Sequence, residues 1–274
     1  MKPGSKVVLI TGVSSGIGWA TAQILAAAGH RVFGTARQPD KAGPPEGATL
    51  LAMDVREDES VRSAVTLVLE QAGRIDALVN NAGVTMFGAV EEIQIDEAKA
   101  LFETNFFGVL RTVSAVLPSM RERGSGHIVN VGSIAGFLPT SFESMYGASK
   151  HALKGYSESL HYEVAPLGVA VSLIQPGFMR TAIDRNYTRA RTKLKVYDAV
   201  REQVIEASNA SVAKGAEPEV VGRIIQRAIE SRRPKLRYLA GWDALGTRVA
   251  RTLAPPMLFA MGVRAELKVR RAKQ

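Results

Sequence analysis

An apolar run, Val7-Val8-Leu9-Ile10, passes without a spacer through Thr11-Gly12-Val13-Ser14-Ser15-Gly16-Ile17-Gly18 into an Ala-rich helical stretch that stops at Gly29. No other feature constrains the fold as tightly. A strand feeding a helix through a glycine turn opens a βαβ unit, and the free N–H groups at the helix start, with the dipole behind them, suit phosphate. Gly12 permits the tight turn, Gly16 lets backbone approach a pyrophosphate, and Gly18 allows close packing of helix on strand. The spacing is Gly-x-x-x-Gly-x-Gly, not the general Gly-x-Gly-x-x-Gly, and no Gly-Lys-Ser/Thr closes it as in a P-loop.

The alternation continues. Apolar runs at Val7–Thr11, Arg31–Ala36, Thr49–Asp54, Ala77–Asn80, His127–Gly132 and Val169–Gln175 predict strands buried on both faces, with Leu236–Leu239 closing the series. Helical patterns fall between them at Gly16–Ala28, Asp58–Ala72, Asp96–Arg123 and Ser144–Ala165, then at Lys195–Ala207 and Pro218–Ser231. Strand–helix alternation means parallel pairing with right-handed crossovers. The expected fold is therefore α/β: one doubly wound, Rossmann-type parallel sheet in a three-layer α/β/α sandwich. Gln38–Gly47 reads as an irregular loop too short to part domains, so residues 1–274 are read as a single domain. Regular alternation lapses over residues 178–214, a locally basic stretch (Arg180, Arg185, Arg189, Arg191, Lys193, Lys195) expected to cover the site at the carboxyl edge of the sheet.

Composition narrows the chemistry. With no cysteine, disulfides and thiolate metal sites are excluded, which suits a cytoplasmic protein. The four histidines lack paired ligand spacing, and no metal is expected. The first apolar run is too short for a signal peptide, and no uninterrupted apolar stretch reaches membrane-spanning length. The net charge of +9 is localised: residues 1–230 carry 24 Lys+Arg against 24 Asp+Glu, and residues 231–274 carry 11 against 2. A basic extension over 241–274 follows, open to acidic surfaces or to solvent.

Thr-Gly-x-x-x-Gly-Ile-Gly resembles the cofactor loop of the short-chain dehydrogenase/reductase family, and the family's other marks follow in order. They are Asp54-Val55 after the third strand, Asn80-Asn81-Ala82-Gly83 after the fourth, Asn105 in the long helix and Ser133 after the fifth strand. Tyr146 and Lys150 then form Tyr-x-x-x-Lys, and Pro176-Gly177 precedes Thr181. The resemblance covers about residues 5–181. It implies that Gly12, Ser14, Ser15, Gly16, Ile17, Gly18, Asp54, Val55, Asn81, Ala82, Gly83, Pro176, Gly177 and Thr181 surround a nicotinamide dinucleotide, with Tyr146 and Lys150 at its reactive end. It further implies that Tyr146 is the general acid/base, that Ser133 binds the substrate oxygen, and that Asn105 holds a water relaying protons from Lys150. A spacing of four places Tyr146 and Lys150 on one helix face, where an ammonium is expected to lower the phenol pKa.

At the end of strand two, where an NAD site carries an acid, this chain reads Thr35-Ala36-Arg37. Arg37, with Ser14, is expected to grip a 2′-phosphate and select NADP(H); alternatively Arg37 is a solvated loop residue, and Asp40 blurs the preference. Ser133, Phe137, Tyr146, Phe178 and Met179 are the candidate substrate contacts, with Met86-Phe87 and Met145 nearby. They predict an apolar pocket for a lipophilic alcohol or carbonyl, as in members acting on hydroxysteroids or retinoids, unless they are ordinary core. The tail stripe Leu245, Val249, Leu253 and the segment Met257–Met261 with Arg264, Lys268, Arg270, Arg271 and Lys273 can pack on the protein, on a second subunit or on an anionic membrane, the first being preferred. The expected protein is an NADP(H)-dependent oxidoreductase acting on CH–OH groups, assembled as a dimer or tetramer. The alternative is an NADP-sensing regulator of the same fold without turnover. Nucleic-acid binding lacks an aromatic-interleaved basic groove or helix-turn-helix.

Overall fold

The strands run β1 (Val7–Thr11), β2 (Arg31–Ala36), β3 (Ala48–Ala52), β4 (Ala77–Asn80), β5 (Met86–Phe87), β6 (Gly126–Val131), β7 (Val169–Pro176), β8 (Thr188–Arg189) and β9 (Arg237–Ala240). The helices are α1 (Gly16–Ala27), α2 (Pro39–Ala42), α3 (Asp58–Ala72), α4 (Ile95–Phe102), α5 (Gly108–Arg123), α6 (Ser144–Val164), α7 (Asp198–Ala213), α8 (Pro218–Glu230) and α9 (Trp242–Leu253). The computed structural model describes residues 4–181, 187–253, 255, 257–258 and 261–262. Arg185 of the covering segment, and Phe259, Arg264, Lys268, Arg270, Arg271 and Lys273 of the tail, lie outside the described residues.

Seven strands pair in the order β3-β2-β1-β4-β6-β7-β9, every pair parallel. The period-two geometry of a strand sends alternate side chains to opposite faces. Val7 and Leu9 therefore join one core with Val61, Val65 and Val68 of α3, Val113 and Val116 of α5, and Leu153 of α6. Val8 and Ile10 join the other, with Leu25 of α1 and Val221, Ile225 and Ile229 of α8. Both faces are apolar because both are covered, and each such side chain taken fully from water contributes roughly 1.5–3 kcal/mol. The order reverses between β1 and β4, so the loops at their carboxyl ends diverge and open a crevice.

Differences from the expected elements have local causes. β3 ends at Ala52, before the expected Asp54: Met53 N–H still reaches the Ala36 carbonyl, but Asp54 N–H turns to the Ser60 hydroxyl. The expected continuous helix 96–123 is broken by a π-helical turn over Glu103–Phe107, where the Asn105 amide bonds both backbone groups of Val84. Ile95–Arg123 is, among the described residues, the one helix long and apolar enough to span a membrane, yet Leu101, Val109, Val113, Val116 and Met120 are buried in the core. The two-residue strands β5 and β8 pair in parallel; so short a pair leaves no periodic signal in sequence.

The covering segment is pinned by its own basic residues. Arg189 pairs with Glu202 (2.5 Å), Arg191 with Asp96 and Glu97, and Arg201 with Glu92 and Asp198. Its helix runs to Ala213 rather than Ala207. α9 packs on the protein, the preferred expectation for this part of the tail, but does so through Ala244 against Ile134 and Phe137, while Leu245, Val249 and Leu253 of the predicted stripe face outward with Trp242. A narrow small-residue contact seats the helix, not its apolar stripe.

Candidate active site

The glycine turn is shaped by close backbone approaches. Gly12 has φ +71°, and a Cβ there would lie 2.8 Å from Ala82 Cα; on Gly18 it would lie 2.2 Å from the Gly12 carbonyl oxygen. Asn81 braces the turn, its Nδ2 donating to the carbonyls of Thr11 (3.1 Å) and Gly12 (2.8 Å). The Thr11 hydroxyl accepts N–H bonds from Asn81 and Ala82. Ser15 precedes α1 without capping it through its side chain, so the first-turn amides are left for another acceptor. Thr181 lies opposite Gly16. Beneath, Asn80, Asn130, Thr112 and Ser157 form a buried hydrogen-bonded chain joining β4 and β6 to α5 and α6.

A cleft of about 650 Å³ opens above this floor. It brings together Gly12, Ser14, Ser15, Gly16, Ile17, Arg37, Asp54, Val55, Asn81, Ala82, Gly83, Ser133, Tyr146, Lys150, Pro176, Gly177, Phe178, Met179 and Thr181. A cradle that any Cβ would fill, with amides aimed into it, fits a dinucleotide phosphate. At the far end Arg37 and Arg56 flank Asp54; the Arg56 guanidinium hydrogen-bonds that carboxylate (2.6 Å) and holds it below the usual carboxylate range, with Arg37 adding to the effect. Arg56 is a site residue that sequence reading missed, although its place beside the expected Asp54-Val55 pair is the signal that marks it.

Three expected residues lie elsewhere. Gly18 is spent on packing, as its spacing implies. Phe137 is buried away from the cleft, against Ile134 and Ala244 and under Arg248, because the 3-10 turn Ile134–Gly136 swings the chain round; Leu138 and Thr140 line the cleft instead. Asn105 is also outside. Its Nδ2 donates to the Val84 carbonyl and to Ser149 Oγ (3.2 Å), and its Oδ1 accepts the Val84 N–H (2.8 Å). It joins the loop after β4 to α6. Of the neighbouring residues, Phe87 lines the cleft, whereas Met86 and Met145 do not.

At the reactive end the side chains of Ser133, Tyr146 and Lys150 converge. Burial pushes the Tyr146 phenol up to about 12, the hydrogen bond to Ser133 pulling against it and the charge of Glu143 adding to it. The expected lowering by Lys150 is not what the geometry yields. Lys150 Nζ lies 5.8 Å from the ring centroid and donates to the Val131 carbonyl (3.1 Å), and burial pushes its own ammonium down to about 8. Tyr146 therefore keeps its phenolic proton across neutral pH.

The substrate side is walled by Thr85, Phe87, Leu138, Phe178 and Met179, with Ser208, Asn209 and Val212 of α7 above. Asp243, the second residue of α9, accepts the Phe178 N–H (2.6 Å) and fills the space over Gly177. The α7 residues and Asp243 carry no local motif, and only their distant packing identifies them. Glu143 has a signal: it is the acid one helical turn before Tyr146.

A sequence profile described as short chain dehydrogenase matches residues 6–192. The chain is 36% identical over 239 residues to a 3-ketodihydrosphingosine reductase of Bacteroides thetaiotaomicron, covering 86% of this chain and 88% of that one. It is 35% identical over 257 residues to retinol dehydrogenase 8 of Bos taurus (86% and 82% covered). Among solved structures, a short-chain dehydrogenase from Streptomyces avermitilis superimposes with a TM-score of 0.80 at 36% identity, over 98% of this chain and 96% of that one. A metagenomic short-chain oxidoreductase in complex with NADP (TM-score 0.68, 28% identity, 86% and 96% covered) and a Burkholderia phymatum one in complex with NAD (0.77, 26%, 98% and 97%) are also similar.

Proposed function

This chain belongs to the short-chain dehydrogenase family, and from that membership we propose that it interconverts a lipophilic alcohol and its ketone or aldehyde with NADP(H), using Tyr146 as the proton donor and acceptor. It is an oxidoreductase of the alcohol/carbonyl kind. The observation that carries the finer reading is the meeting of Ser133, Tyr146 and Lys150 at one end of a cleft whose other end is the glycine cradle. A bound nicotinamide supplies the hydride for the carbonyl carbon. Ser133 Oγ donates a hydrogen bond to the carbonyl oxygen and stabilises the charge growing there. Tyr146 Oη passes its proton to that oxygen, and in the reverse direction takes it back. Lys150, on the same helix face, holds the cofactor ribose.

NADP(H) is favoured because the end of β2 offers Arg37 where an acid would repel a 2′-phosphate, with Arg56 and Ser14 nearby. Calorimetric titration is expected to give NADPH affinity at least tenfold above NADH, on the order of one charge-assisted contact, and Arg37→Asp is expected to abolish that preference. Tighter NADH binding by the unaltered protein would overturn the cofactor assignment and leave the redox reading intact. The apolar wall of Phe87, Leu138, Phe178 and Met179 supports a lipophilic substrate, as do relatives named for retinol and 3-ketodihydrosphingosine.

The protein is further proposed to self-associate through the long helices. Phe107, at the junction of α4 and α5, and Tyr162 on α6 are exposed aromatics on those elements. Light scattering behind gel filtration should give twice or four times the chain mass; a monomer throughout would end this proposal.

A further inference from the structure

The helix α9 is built inside out. Trp242, Leu245, Val249 and Leu253 are all exposed, Trp242 to 89% and Leu253 to 77%. At 3.6 residues per turn the four fall within an arc of about 80°, one stripe along the helix. Ala244, buried against Ile134 and Phe137, lies on the opposite side. Arg248 shares that inner side, its guanidinium 5.6 Å from the centroid of the Phe137 ring. A surface helix ordinarily turns its apolar stripe to the core and its charges to water. Here a small and a cationic side chain face in, and the large apolar ones face out. Further along the chain Met257, Leu258 and Met261 are exposed as well. Apolar surface gathered in this way marks an interaction site.

The fold sets where that surface lies. α9 starts just after β9 ends at Ala240, which pairs with Pro176, and Asp243 accepts the Phe178 N–H (2.6 Å). Phe178 lines the cleft, so the stripe belongs to the edge of the molecule at which the cleft opens.

Charge and area decide the occupant. Residues 244–274 carry seven Lys+Arg against one acid, Glu266, whereas residues 1–230 balance to zero. The outer face of a helix of this length is roughly 18 Å long and 10–12 Å wide, about 200 Å². A stable protein interface takes roughly 800 Å² from each partner. A second copy would also bring an equal excess of positive charge against it. A bilayer needs no matched partner surface. It accepts apolar side chains about 5–10 Å deep at the boundary of headgroups and acyl chains, and when anionic it attracts Lys and Arg. Tryptophan suits the headgroup level, where its ring is half in each medium.

We propose that α9 docks the protein on an anionic lipid surface, its stripe of Trp242, Leu245, Val249 and Leu253 entering the acyl boundary and the basic charge of residues 264–273 drawing it there. Docking is independent of the reaction in the cleft, so either can fail alone.

The full chain is floated with vesicles of phosphatidylcholine and of a phosphatidylcholine–phosphatidylglycerol mixture. The wild type should bind the anionic vesicles at least about tenfold more tightly, and added salt should erase that margin. Trp242 emission should shift to the blue, read against Trp242→Phe because Trp19 is the other tryptophan. Val249→Glu with Leu253→Glu should lower binding at least about tenfold and leave NADPH affinity as in the wild type, which separates a lost docking face from a lost fold. Lys268→Gln, Arg270→Gln and Arg271→Gln together should remove the preference for phosphatidylglycerol. No flotation of the wild type, equal binding to both vesicle compositions, or unchanged binding by the Val249 and Leu253 variant would each overturn the inference. So would a smaller assembly of that variant in light scattering, which would give the face to a second copy.

Discussion

Replacing Tyr146 by Phe is expected to lower the rate of carbonyl reduction by about 10²–10⁴-fold, the ordinary worth of a positioned proton donor. The ring stays and so does its contact with Lys150; only the hydroxyl at the reactive end is lost. With the phenol pushed up to about 12 by burial, Tyr146 holds its proton throughout the neutral range and is ready to donate. Alcohol oxidation makes the opposite demand, since the phenol must first give its proton up. Its rate should therefore climb as pH rises, whereas reduction stays level until Lys150 begins to lose its own proton near 8. Steady-state rates in both directions against pH, with NADPH binding as the control for folding, check this. If Tyr146→Phe keeps more than roughly a tenth of the reductase rate, another group is protonating the substrate.

The second large effect is on stability. Glu92 and Arg201 form an almost fully buried ion pair joining the loop after β5 to α7. Burial alone would raise the Glu92 pKa, but N–H donors from Leu194 and Ala89 and the Arg201 guanidinium outweigh it and hold the carboxyl below the ordinary glutamate range. Glu92→Ala leaves a buried guanidinium with only the more exposed carboxylates of Asp198 and, at 4.0 Å, Glu202. The expected cost is about 3–5 kcal/mol, which lowers Tm by roughly 6–20 °C for a domain of this size. A depressed carboxylate stabilises the fold above its unfolded pKa of about 4.3 and loses that contribution as pH falls through the folded value. Denaturant melts of the two proteins should therefore differ most near neutrality and converge in acid. Because α7 contributes Ser208, Asn209 and Val212 to the cleft wall, KM should rise as well. A stability change below about 1 kcal/mol would show the pair to be replaceable by water or by Asp198 alone.

The central architecture was legible from residues because its signals are local. Six strands, β1, β2, β4, β6, β7 and β9, lie where continuous apolar runs of strand length stand between helical patterns, to within a residue at each end. Asp58–Ala72 was bounded correctly by Gly73, whose φ of +74° ends the helix in the left-handed region. The glycine spacing, the Asn81-Ala82-Gly83 segment and the Ser133, Tyr146, Lys150 order likewise identify residues that do share the cleft. What was misplaced depends on directions a sequence does not carry. Phe137 turned away because a 3-10 turn intervenes.

By itself, then, the sequence determined a parallel doubly wound sheet and the position of its crevice through short-range periodicity and spacing, and the resemblance of its motifs picked out Ser133, Tyr146 and Lys150, which share one cleft. Tertiary structure alone decided the rest: that burial pushes the Tyr146 phenol up, that Arg56 joins Arg37, that α7 and Asp243 close over Phe178, and that the Glu143 carboxyl meets Thr85 at the cleft wall. Desolvation is the common reason. How far a charge is removed from water, and which partner it finds there, follows from packing between segments distant in the chain, and no local pattern encodes it.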